Sequence, residues 1–120
     1  MSILAVILVG LIAFLHIYIA WFEMFAWESR GPKVFVSLPP DLFAPTKAMA
    51  ANQGLYNGFL AAGLIWSLLI DDPDWAPCIA TFFLLCVGIA GIYGTATVSR
   101  RIFYVQAIPA ALALMALYLT

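Results

Sequence analysis

A chain of 120 residues in which 66% of the side chains are hydrophobic and only 9% are charged cannot bury its apolar surface in a soluble core. Its mean hydropathy is +1.07 and its formal net charge is −1. The few basic residues are not interleaved with aromatic ones, so the sequence predicts no binding of nucleic acid. Composition predicts an integral membrane protein whose principal partner is the lipid bilayer.

Four apolar runs predict four transmembrane helices, at residues 3–25, 48–70, 77–98 and 102–119. At a rise of about 1.5 Å per residue, each run is long enough, or nearly so, to cross about 30 Å of hydrocarbon. The first run has no basic residues before it and is too long for a signal peptide. We therefore expect an all-α fold, an integral membrane four-helix bundle formed by residues 1–120 as a single domain.

The segments between the runs carry the turn and capping residues. The connection at 26–47 contains four prolines, which forbid a continuous helix. Thr46 and Asp74 precede the second and third runs, where their side chains are expected to cap the helices. Several apolar residues of the first connection are expected to dip into the lipid headgroup region: Val34, Phe35, Leu38, Leu42 and Phe43.

The basic residues predict the orientation in the membrane. All five lie in the first and third connections, namely Arg30, Lys33, Lys47, Arg100 and Arg101. The charged residues of the second connection are all acidic, and the C-terminus carries no basic one. Because cytoplasmic loops collect Lys and Arg, we predict a multi-pass protein with both termini on the extracytoplasmic side.

Strongly polar residues concentrate in the halves of the runs that adjoin the basic connections. Such groups are costly in hydrocarbon and normally face a bundle interior or a wet cavity. The predicted ligand-binding site consists of His16, Glu23, Trp27, Asn52, Gln53, Tyr56, Asn57, Tyr93 and Gln106. Glu23 and His16 are the candidate acid–base residues of this site. They lie about 10 Å apart on one helix and cannot share a metal ion, so no metal site and no cofactor is predicted.

Helical periodicity separates two arcs on the second run. A polar arc carries Asn52 and Tyr56 and is expected to contact the first helix, whereas a small-residue arc carries Gly54 and Gly58 and is expected to contact another helix. The same polar side chains also fit a purely structural role, as hydrogen bonds between helices. In the fourth run, Pro109 is expected to disturb the backbone bonding beside Gln106.

One stretch of the second run resembles a known family. The sequence from Asn52 to Gly58, Asn-Gln-Gly-Leu-Tyr-Asn-Gly, together with the first-helix pattern His16…Glu23-Met24…Trp27, resembles a family of small bacterial membrane proteins catalogued as a domain of unknown function. The resemblance implies a four-span protein of the bacterial inner (cytoplasmic) membrane and no particular reaction. In architecture alone, the plan is also similar to small multidrug transporters.

Three functional hypotheses follow, and the sequence leaves open whether the protein is an enzyme. The first is small-molecule binding or proton-coupled transport, in which Glu23 exchanges a proton for a ligand. The second is a membrane-embedded acid–base enzyme of the isomerase type that acts on a lipophilic substrate through Glu23 and His16. The third is a structural or accessory subunit. Because four spans alone rarely enclose a pathway, a homo-oligomer is expected under the first hypothesis.

Overall fold

The chain folds into helices and turns. The computed structural model describes residues 1–120, and no β-strand occurs among them. The all-α class predicted from the sequence is confirmed. The five α-helices are α1 (Ile3–Phe25), α2 (Trp27–Val34), α3 (Lys47–Leu69), α4 (Trp75–Thr97) and α5 (Ile108–Leu119), with a 3-10 turn at Pro40–Leu42 and a π-helical segment at Phe103–Ala107.

Two of these helices are long and apolar enough to cross a membrane, as judged by length and composition. They are α1 and α4, each of 23 residues. The stretch Phe103–Leu119 is apolar but shorter. Helix α3 also has 23 residues, but Lys47, Asn52 and Asn57 interrupt the apolar character of its first half.

The polar caps predicted for α3 and α4 are formed differently in the structure. Asp74 makes no capping hydrogen bond. Instead, Asp72 Oδ1 accepts hydrogen bonds from the backbone N–H groups of Asp74 at 2.9 Å and Trp75 at 3.0 Å. Thr46 does not cap α3 with its side chain, because its hydroxyl donates backwards to the carbonyl of Leu42 at 2.7 Å. Both predicted caps are therefore wrong in detail, although each helix begins close to the predicted residue.

Two prolines modify the helices around them. Pro32 lies within α2, a short helix that sequence analysis did not predict, and α2 ends two residues later at Val34. Pro109 follows the π-helical segment, which ends as the backbone N–H of Ile108 donates to the carbonyl of Phe103. Proline has no N–H and its ring crowds the preceding turn, so a widened turn before Pro109 accommodates it.

Residues 1–14 and 60–120 form one of two units into which the chain divides. Helices α1, α3, α4 and α5 all contribute to its buried core, which comprises Val9, Ile12, Ala13, Leu64, Ala80, Leu84, Val87, Ala110 and Ala113. The buried face of α5 consists of alanines, which lets α4 approach it closely. At one end of this unit, the hydroxyl groups of Ser2 and Thr120 are hydrogen bonded, so the two termini of the chain lie together.

Residues 15–59 form the second unit, which has an aromatic centre. The rings of Phe22, Phe35 and Phe43 surround Trp27, with ring centroids 5.1 to 5.8 Å from that of Trp27. Phe43 is only 2% exposed and lies against Gly31. The expectation that Phe43 dips into the headgroup region is therefore wrong, because its ring is buried inside the protein.

In the first unit, Gly91 of α4 lies directly against the backbone of the π-helical segment. A Cβ atom on Gly91 would lie 2.6 Å from the backbone nitrogen of Ala107, whereas one on Gly88 would lie at an ordinary 3.7 Å from Ala110 Cβ. Gly91→Ala is expected to lower the free energy of unfolding by about 1–3 kcal/mol, because backbone cannot move aside easily. Gly88→Ala, on the same helix, is expected to be neutral or to stabilise by up to about 1 kcal/mol.

Thermal unfolding of the purified variants, followed by circular dichroism, measures this difference. Equal stabilities of the two alanine variants would contradict the close approach of α4 to the π-helical segment.

Candidate functional site

The central pair of the candidate site joins α1 to α3. Asn57 Nδ2 donates a hydrogen bond of 2.6 Å to Glu23 Oε1, and Asn57 is only 8% exposed. The same amide nitrogen also donates to the backbone carbonyl of Gln53 at 3.2 Å. Both N–H bonds of the Asn57 amide are thus used, and its side-chain carbonyl oxygen remains as a hydrogen-bond acceptor.

Gly54 allows α3 to come close enough to α1 for Asn57 to reach Glu23. A Cβ on Gly54 would lie 2.9 Å from the carbonyl oxygen of Ala20 and 2.9 Å from Glu23 Cβ. Since Gly54 lacks that atom, α3 lies directly against the main chain of α1, and Asn57, one turn later, reaches Glu23. Gly58 faces the same helix, with Ala20 Cβ at 3.9 Å from its would-be Cβ.

The assignment of the two arcs of α3 is therefore wrong. The small-residue arc contacts α1, with Asn57 at its margin, and the remaining polar arc is uncovered within the chain. Asn52, Gln53 and Tyr56 are all exposed. Asn52 donates to the carbonyl of Ala48 in its own helix, and the ring of Tyr56 packs against Phe59. The structure does not bring these three side chains onto Glu23.

His16 is completely buried, with 0% of its surface exposed. It lies seven residues before Glu23 on α1, which is about 10 Å along the helix axis. No buried side-chain nitrogen or oxygen lacks a hydrogen-bond partner, and this includes the ring of His16. A buried and satisfied imidazole fits the structural role that sequence analysis kept open for it.

Trp27 is held in place by a hydroxyl group that sequence analysis assigned to a helix cap. Its indole Nε1 donates to Thr46 Oγ1 at 2.9 Å, and its ring belongs to the aromatic centre described above. Trp27 thus joins the start of α2 to the start of α3. Trp27 follows Glu23 by four residues in the chain and belongs to the structure that supports this end of α1.

The two remaining predicted site residues belong to the other unit. Tyr93 is 71% exposed, and Gln106 is half-buried in the π-helical segment. Two open clefts of about 290 and 210 Å³ lie in that unit, and apolar side chains line them almost entirely. Neither cleft is lined by a predicted site residue. No group of three or more His, Cys, Asp or Glu side chains comes together to hold a metal ion.

The pair of Glu23 and Asn57 defines what the site can do chemically. With the Asn57 amide nitrogen occupied, the groups left for a ligand are the carbonyl oxygen of Asn57 and the unused lone pairs of the Glu23 carboxyl group. All of these accept hydrogen bonds when Glu23 is ionised. The site is therefore suited to a hydrogen-bond donor or a cation, and a proton on Glu23 would compete with either.

Comparison with known proteins gives a family without an assigned activity. A family model described as "Protein of unknown function (DUF1304)" matches residues 10–118. The chain is also 31% identical over 117 residues to "Uncharacterized protein YpaA" of Lactococcus lactis subsp. lactis (strain IL1403), covering 96% of this chain and 97% of that protein. No solved structure matches the chain.

Because the Asn57 amide is buried and that of Asn52 is exposed, alanine substitutions at these two positions of α3 should differ in their effect on stability. Asn57→Ala removes the donor to Glu23 and leaves a half-buried carboxyl group without it, so we expect a loss of about 1–3 kcal/mol in the free energy of unfolding. Asn52→Ala removes only an exposed bond within its own helix and should change that free energy by less than about 0.5 kcal/mol. Chemical unfolding of both variants tests the pair. If both variants lost the same free energy of unfolding, the hydrogen bond between Asn57 and Glu23 would make no specific contribution to stability.

Proposed function

This chain belongs to the DUF1304 family, and we propose that it is a four-span membrane protein that binds a small hydrogen-bond-donating or cationic molecule at Glu23 in exchange for a proton. The observation that carries the proposal is the hydrogen bond of Asn57 to Glu23, made across two predominantly apolar helices. A carboxyl group in such a position is costly unless it is partnered, protonated or hydrated.

The proposed spans are α1, α3, α4 and the segment Phe103–Leu119. Large apolar side chains on their outer faces are more than half exposed, as in Phe14, Leu69, Phe82 and Ile89. A surface of this kind is solvated well by lipid and poorly by water. A helix of 23 residues is about 35 Å long, which exceeds the hydrocarbon thickness of a bilayer.

We place the protein in the bacterial inner (cytoplasmic) membrane, with both termini on the extracytoplasmic side. The distribution of the five basic residues supports it. The contact between Ser2 and Thr120 supports an even number of spans, since the two termini then lie on the same side.

The orientation predicts which loops an impermeant reagent can reach. With Cys78 and Cys86 replaced by serine, Asp71→Cys should react with a membrane-impermeant maleimide on intact cells, because its loop is extracytoplasmic. Ser37→Cys should react only after the cells are permeabilised. Both positions are exposed in the structure, so a difference in labelling reports sidedness. If Ser37→Cys reacted on intact cells and Asp71→Cys did not, the orientation would be the opposite of the one proposed.

The mechanism follows from competition for one carboxyl group. Ionised Glu23 binds the donor or cation, and Asn57 holds the carboxyl group in place through Oε1. Protonation of Glu23 removes the negative charge that attracts the ligand and releases it. If the site faces each side of the membrane in turn, this exchange couples uptake or export to the proton gradient.

Glu23 and Glu28 form a matched pair for testing this mechanism. Purified protein in vesicles with an imposed pH gradient should move small organic amines, as measured with radiolabelled compounds. Glu23→Gln keeps the shape of the side chain but removes its charge, and it should abolish pH-dependent binding and movement. Glu28→Gln removes an equal charge from an exposed residue that pairs with Lys47 and should retain both.

Three other outcomes would overturn the proposal. If the Glu23→Gln variant still moved amines in response to the pH gradient, the Glu23 carboxyl group would not be the exchange site. Turnover of a lipophilic substrate in detergent, without a gradient, would favour the membrane-embedded enzyme. Stoichiometric recovery with one partner protein, without ligand binding, would favour the accessory subunit.

A further inference from the structure

Helix α2 has two positively charged side chains, Arg30 and Lys33, on its outer face. Its inner face consists of Trp27, Gly31 and Val34, which follow one another at helical spacing. A Cβ on Gly31 would lie 2.3 Å from the ring of Phe43, so the aromatic centre fixes this face inward. Arg30 and Lys33, three residues apart, are both exposed and lie next to each other on the helix surface.

The charge of this face is not neutralised by the one carboxylate of α2. Glu28 belongs to the same helix, but it pairs with Lys47 at 3.3 Å. Arg30 and Lys33 form no ion pair of their own. Two positive charges therefore remain on one side of α2.

An aromatic ring lies beside one of these charges, and exposed apolar side chains are close to both charges in the sequence. The Arg30 guanidinium lies 5.9 Å from the ring centroid of Trp21, within the range of a cation–π contact. Trp21 is 45% exposed, Phe25 75% and Val36 78%. A cation stacked on an indole beside exposed apolar groups is the pattern that proteins present at the boundary between headgroups and acyl chains.

We propose that Arg30 and Lys33 form a docking surface for the headgroup of an anionic phospholipid. The inference rests on the membrane placement within the proposed function. A guanidinium offers paired N–H donors to phosphate oxygens, and the ammonium group of Lys33 adds a second positive charge. Phe25 and Val36 give the acyl chains an apolar contact, which a free phosphate ion could not use. Charge complementarity and this apolar flank together commit the site to a lipid.

Native mass spectrometry of the full chain in detergent tests the proposal, with short-chain phosphatidylglycerol and phosphatidylcholine as probes. The double variant Arg30→Gln/Lys33→Gln should bind phosphatidylglycerol on the order of tenfold more weakly, with phosphatidylcholine binding unchanged. Arg100→Gln/Arg101→Gln removes the same charge from the other basic loop and should bind phosphatidylglycerol as the parent does. Trp21→Leu keeps both cations without the stacked ring and should show a smaller loss.

Each contrary result has a distinct meaning. Equal losses in the two double variants would show diffuse attraction by net charge and would overturn the site. Competition by inorganic phosphate would show a site for free anions. If the double variant does not fold, Lys33→Gln alone should still weaken phosphatidylglycerol binding selectively. A chain that alkaline carbonate extracts from membranes would refute the proposed function as well, whereas an integral chain without lipid preference would refute this inference only.

Discussion

The absence of a side chain at Gly54 is the constraint on which the arrangement of residues 15–59 depends. It lets α3 rest against the carbonyl of Ala20 and the Cβ of Glu23. Helix α3 is thereby fixed in rotation as well as in distance, because only one face of it is smooth enough to come this close. Asn57 then falls opposite Glu23, whereas Tyr56, its neighbour in sequence, is turned away from α1.

The aromatic centre performs the complementary task of closing the connection between the two helices. The chain passes from the end of α1 to the start of α3 through α2 and a proline-rich segment. Trp27 contacts Phe43 through its ring and Thr46 through its indole N–H. Gly31 allows Phe43 to lie on α2 without a clash. The turn that orients Arg30 outward and the start of the helix that carries Asn57 are thus held by the same cluster.

Sequence analysis predicted the helical class, the approximate limits of the long helices and the position of Glu23 and Asn57 as polar residues in apolar surroundings. These features depend on local composition and on position along a helix. The rotation of α3 could not be predicted in the same way, because polarity and close packing favoured different faces. Gly54 decided the outcome, since van der Waals contact between helix backbones tolerates no Cβ there. The helix caps failed for a related reason: the acidic turn offers three carboxylates, and only the folded turn selects Asp72.

Two carboxylates five residues apart show why position, more than residue type, carries the functional argument. Glu28 and Lys47 form their ion pair with side chains 48% and 68% exposed, so water screens it and it contributes at most about 1 kcal/mol. Glu23 is half-buried between helices and bonded to an amide whose own donors are fully used. A ligand that offers a proton donor or a positive charge can satisfy Glu23 where it lies, and so can a proton. Competition between those two partners is the simplest chemistry that this arrangement of residues supports.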